Sequence, residues 1–143
     1  MQTLSRSGHR VSPCQPAGVR ILLLTARPEG ESARRLAGYG ACVEVRTARQ
    51  SALAELVRDR VGFDLFVMDC DGFGGMAAGE QAVAALVAAE ARMRVILVSA
   101  DFDGPAYPMG LRSVVCLPDR ASAAEFRRGF DHALRDRPNV TMM

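Results

Sequence analysis

Apolar and polar positions along the chain fall into blocks with two different periods. Val19 to Thr25 (VRILLLT) is an unbroken apolar run of strand length, the pattern of a strand covered on both faces. From Glu29 to Tyr39 the spacing turns helical, with Ala33, Leu36 and Ala37 on one face. Ala41 to Thr47 (ACVEVRT) alternates apolar with polar, as a half-buried edge strand does. A second helix is predicted from Arg49 to Arg60, with Leu53, Leu56, Val57 and Val61 inward. Phe63 to Asp69 (FDLFVMD) reads as a third strand that ends on an acid, and a glycine-rich turn (DGFGG) follows. The third helix spans Ala77 to Arg92, with Val83, Leu86 and Val87 inward, and Arg94 to Ser99 (RVILVS) is the fourth strand. Residues 101–111 contain Gly104, Pro105, Pro108 and Gly110, so any helix there is short or broken. Ser113 to Leu117 (SVVCL) is the fifth strand. The last helix follows Ser122, an N-cap, with Glu125 three residues on as in a capping box. It turns Phe126, Phe130, Ala133 and Leu134 inward, exposes Arg127, Arg128, Asp131 and Arg135, and is stopped by Pro138.

Apolar strands that alternate with helices in this way specify a parallel sheet with helices on both faces. Right-handed crossovers place the working crevice beyond the carboxyl ends of the strands. The residues to consider are therefore Thr25–Arg27, Asp69–Asp71, Ser99–Ala100 and Pro118–Arg120. The expected organisation is one α/β domain over residues 19–137, a flexible N-terminal arm over 1–18, and a short tail over 138–143.

Composition narrows the function classes. A chain of 143 residues accommodates one ordinary domain. Its net charge of +2 is small and its arginines are scattered, which argues against nucleic acid. No apolar run approaches the ~20 residues of a membrane span. The polar start, broken by Pro13 and Pro16, is unlike a signal peptide, so the expected location is the cytoplasm. All 18 basic residues are arginine, and this excludes any mechanism that needs a lysine. Cys14, Cys42, Cys70 and Cys116 are widely spaced, with only His9 and His132 to help, so no zinc site is expected. They read as reduced, mostly buried thiols. Gly72 to Ala77 satisfies G-x-G-x-x-A, but after the third strand and without the acid expected about 20 residues later; it reads as chance. No G-K-[ST] follows, and no Ser-His-Asp or Cys-His arrangement is evident.

From Val19 to about Arg137 the chain resembles the receiver domain of bacterial response regulators. FDLFVMDCDGFGG is similar to the family's third strand and its phosphate-accepting aspartate, which aligns with Asp69. Asp71 lies two residues on. Ser99, closing VILVSA, matches the small hydroxyl residue that contacts the phosphoryl group, and Ala100 matches the small residue after it. LPDRAS is similar to the family's L-P-K-P-x-S. The resemblance implies a single doubly wound (βα)5 flavodoxin-like fold with a parallel five-stranded sheet in the order 2-1-3-4-5.

The departures concern the chemistry. In ILLLTARP, Thr25 and Ala26 stand where the family has two metal-binding acids. Asp119 stands where its lysine belongs, Arg120 replaces a proline, and Val115 or Cys116 replaces the aromatic switch residue. Attack on a phosphoryl group needs the charge on its equatorial oxygens stabilised. Here a metal set has lost its carboxylates, and an anion has replaced a cation. Arg27 and Arg120 are candidates to neutralise Asp69 or Asp119. The expectation is a pseudo-receiver with no attached output domain, no catalytic residue, no metal and no cofactor. It would act in two-component signal transduction through contacts with a histidine kinase, a regulator or another signalling protein, or as a homodimer. Two alternatives remain: a conventional phospho-accepting receiver in a phosphorelay using Asp69, and a flavodoxin-like protein that binds a small ligand or nucleotide in the same crevice.

Overall fold

The three central strands form because their residues are buried on both sides. The computed structural model describes residues 18–58, 62–91, 93–106 and 114–135. β1 (Arg20–Leu24), β2 (Cys42–Arg46), β3 (Leu65–Asp69), β4 (Val95–Ser99) and β5 (Val114–Pro118) pair in parallel. They make one 5-stranded sheet, parallel as the hydrophobic pattern implies and in the order β2-β1-β3-β4-β5 that the resemblance implies. Between them run α1 (Glu31–Gly38), α2 (Arg49–Arg58), a 3-10 turn (Cys70–Phe73) and α3 (Met76–Ala88), and α4 (Ala123–Arg135) follows β5.

Period-2 alternation divides the core. Leu22, Leu24, Phe66, Met68 and Leu97 face α2 and α3, where they meet Ala52, Leu56, Ala82 and Leu86. Ile21, Leu23, Leu65, Val67 and Ile96 face the other way and meet Leu36 of α1 with Phe126, Phe130 and Ala133 of α4. β2 is half-buried throughout, as an edge strand should be. Across its outer end Glu44 bridges Arg20 (2.8 Å) and Arg46 (3.1 Å), and Arg46 goes on to Glu55 at 2.9 Å.

Several boundaries differ from the sequence reading. α1 starts at Glu31 because residues 27–30 close a turn first, with the Gly30 amide donating to the Arg27 carbonyl at 2.9 Å. α3 ends at Ala88 and not at Arg92. Glu90 takes a left-handed conformation (φ 58), and the Ala91 amide returns to the Leu86 carbonyl at 2.8 Å, which lets Ala91 bury itself. Between β4 and β5 the described residues contain no helix, and Ala106 instead forms an antiparallel bridge to Cys116. Residues 107–113 of the expected broken helix, residues 1–17 of the expected arm, and the tail at 138–143 lie outside the described residues. The expectation of four reduced thiols does not hold. Cys70 and Cys116 are free, but Cys42, half-buried at the start of the edge strand, is disulfide-bonded.

Arg127 is exposed with Arg128, Asp131 and Arg135, as the sequence places it, and it also reaches a neighbouring aromatic ring. Its guanidinium lies 4.6 Å from the Tyr39 ring centre and 5.8 Å from that of Phe130, and its Nε donates to Asp131 at 3.1 Å. Tyr39, at the end of α1, packs against Phe130 with ring centres 4.8 Å apart. The arginine is thereby part of the α1–α4 contact. Among the described residues no helix is long and apolar enough to cross a membrane.

Candidate functional site

Parallel strands deliver their last residues to one rim, and the sheet order brings the ends of β1, β3 and β4 side by side there. Thr25, just past β1, is 1% exposed, and its amide donates to the Arg46 carbonyl at 3.0 Å. Its Oγ1 accepts the Arg27 amide at 3.0 Å, a turn closed within the loop itself. Ala26 lies against Gly72: a Cβ added to that glycine would stand 2.5 Å from the Ala26 methyl. The β1–α1 and β3–α3 loops therefore touch directly where the resembled family has a metal-binding acid.

Asp69 ends β3 half-buried, and its Oδ1 accepts the Ser32 hydroxyl from α1 at 2.7 Å. Asp71, two residues on in the 3-10 turn, faces β4. Its Oδ1 accepts the Ser99 hydroxyl at 2.6 Å and its Oδ2 accepts the Ala100 amide at 2.8 Å. Ser99 is fully buried, and its Oγ also accepts the Asp101 amide at 3.0 Å. Asp101 in turn reaches back to α3, where its Oδ2 accepts the Met76 amide at 2.9 Å. Gly75, the N-cap of α3, has φ 82 and no side chain to serve the free amides of the first turn. A Cβ there would stand 2.5 Å from Asp101 Oδ2, so the glycine both makes the turn and admits the carboxylate. The G-x-G-x-x-A segment thus presents its helix start to a carboxylate of the same chain.

The remaining candidates lie farther out. Asp119 is exposed, and its amide donates to the Ser99 carbonyl at 3.2 Å. The exposed Arg120 donates from Nη2 to the Asp103 carbonyl at 3.2 Å. Arg27 is exposed as well, and among the described ion pairs neither Arg27 nor Arg120 contacts Asp69 or Asp119. Below the rim, burial pushes the Cys70 thiol up to about 12, reinforced by the nearby Asp71 carboxylate.

The residues present do not fit the divalent cation used by the resembled family. Magnesium wants near-octahedral oxygen ligation. Thr25 spends its hydroxyl on its own loop, Ala26 offers a methyl, and both oxygens of Asp71 are engaged. Among the described residues no group of three or more His, Cys, Asp or Glu could hold a metal ion.

Ser32 and Asp101 are absent from the sequence-level candidates. Ser32 carried a usable signal, since it precedes Leu36 by one helical turn and so shares the inward face of α1. Asp101 carried a weaker one: α3 begins on glycine, so its amides need a partner from elsewhere.

No family model matches the chain, and no curated protein matches its sequence. Among solved structures it is similar to a response regulator receiver domain protein from Bacillus halodurans C-125. The TM-score is 0.59 at 15% identity, over 81% of this chain and 97% of that one. At that identity the likeness establishes a shared fold.

Proposed function

We propose that this chain is an atypical receiver-type signalling module of the cytoplasm, working through protein contacts and independent of phosphorylation. The observation that carries the reading is the state of the rim around Asp69. The acceptor position of the resembled fold is present, but the groups beside it that would supply positive charge are not. Thr25 is turned onto Arg27, Ala26 is closed onto Gly72, and Asp119 adds negative charge at the end of β5. Among the described ion pairs none joins a cation to Asp69 or Asp119, whereas phosphoryl transfer depends on electrostatic stabilisation of the transferred oxygens. Such a domain is no enzyme. It presents a fixed surface to a partner such as a histidine kinase, a regulator, or a second copy of itself.

The test is direct. Incubation with a small acyl phosphate and Mg²⁺ should leave the intact mass unchanged. A single acid-labile phosphate mapped to Asp69 would instead establish the phospho-accepting alternative.

A further inference from the structure

A buried hydroxyl and a neighbouring backbone amide aimed at one point form a small anion site. Ser99 and Ala100 are such a pair, and their point of convergence holds the carboxylate of Asp71, at 2.6 Å from the hydroxyl and 2.8 Å from the amide. The hydroxyl has no freedom to turn elsewhere. Ser99 Oγ accepts the Asp101 amide at 3.0 Å, so its proton is directed at Asp71. Asp101 then completes a second crossing in the reverse direction by accepting the Met76 amide at the start of α3. Two carboxylates, each on one loop, are held by donors on the other. We infer that Asp71 is a built-in anion: it fills the Ser99–Ala100 donor pair and holds the β3–α3 and β4–β5 loops in the arrangement that a bound anion would select.

This inference rests on the phosphorylation-independent reading, and it names what fixes the rim in the absence of a phosphoryl group. A ligand shifts a two-state element only through its differential contacts with the two states. Here the contacts are made by the chain's own side chain, so the two loops are tied together without an added ligand. The geometry also explains the tight loops. Gly74 (φ 121) and Gly75 (φ 82) supply the left-handed turns that bring the 3-10 turn back toward β4.

The experiment compares the full chain with Asp71→Ala and Asp71→Asn by NMR and amide exchange, using sodium formate alone as the probe. In Asp71→Ala the Ala100 amide should exchange about tenfold faster or more, the loss expected for a charge-assisted hydrogen bond. Added formate should return the Ala100 and Asp101 amide signals toward their positions in the unaltered protein, while that protein shows no response. Asp71→Asn keeps the side-chain shape and one carbonyl acceptor. It serves where the alanine variant fails to fold, and its Ala100 amide should also exchange faster. Unchanged Ala100 exchange in Asp71→Asn would overturn the inference. An equal formate response in the unaltered protein would overturn it too, because the donors would then be open. A phosphate found on Asp69 by intact mass, with the Asp71 results as expected, would remove the phosphorylation-independent reading alone and leave the lock standing.

Discussion

Cys70 is the residue whose environment has the plainest consequence in solution. It is fully buried, and a Cβ added to Gly79 would stand 2.6 Å from its sulfur, so the thiol has no route to water. Burial first, and then the Asp71 and Asp69 carboxylates, raise its pKa from 9.0 to about 12. The fold therefore favours the neutral thiol. This contribution is intact below about pH 9 and is lost as pH climbs toward 12. Urea denaturation across that range should show stability falling with pH, by at most about 1.4 kcal/mol per pH unit from this one proton. Cys70→Ala should have a shallower slope, and equal slopes would refute the assignment. Tyr39, also raised by burial, titrates in both proteins, so the difference isolates the thiol. The candidate site was legible in the sequence as far as strand ends are legible. Asp69, Ser99 and Asp119 each close an apolar run, and a parallel sheet sends all such ends to one rim. The bonds among them were not legible. Whether Asp69 meets Ser32, and whether Ser99 turns to Asp71, depends on loop paths that only the folded chain decides.

At the scale of single elements, α4 and its contact with α1 separate two arginines that look alike in the sequence. Arg127 lies over Tyr39 and pairs with Asp131, whereas Arg128 is exposed, with no ion pair among the described residues. Arg127→Glu should cost about 1 kcal/mol, the sum expected of one cation–π contact and one i,i+4 pair. Arg128→Glu should stay within about 0.5 kcal/mol of the starting protein. Thermal or urea unfolding of the two variants settles the matter, and equal effects would refute the distinction. Local rules predicted what local interactions make. The capping box before α4 is realised, with the Ser122 amide on Glu125 Oε1 at 3.0 Å and the Glu125 amide on Ser122 Oγ at 3.1 Å. They failed at the end of α3, where burying Ala91 pulls Glu90 into a left-handed turn that no residue preference signals. They were silent on the ring contact of Arg127 with Tyr39, which lies at the end of α1 and far away in sequence.

For the whole molecule, the hydrophobic pattern was sufficient for the sheet because its central strands are apolar on both faces. That pattern occurs where helices cover both sides. The same asymmetry should govern local opening. β1 and β3 lie inside the sheet and are almost wholly buried, while β2 is half-buried along its length. Hydrogen exchange should be slowest at Leu22–Leu24 and Leu65–Met68 and faster along β2. A β2 that exchanged most slowly would contradict this order. The two rims of the sheet also answer a question of solubility. An open strand edge is a template for pairing with another molecule, and proteins in which it stays bare tend to polymerise. At β5 the amide and carbonyl of Cys116 are both taken by Ala106, at 3.0 and 2.8 Å, so that rim is occupied at its midpoint by the chain itself. At β2 the edge strand itself carries Glu44 and Arg46, tied over the sheet face to Arg20 of β1 and Glu55 of α2, and charged side chains on an edge strand disfavour pairing with an incoming one. The molecule is thereby guarded against fibre-like growth at one rim by hydrogen bonds already made, and at the other by charge.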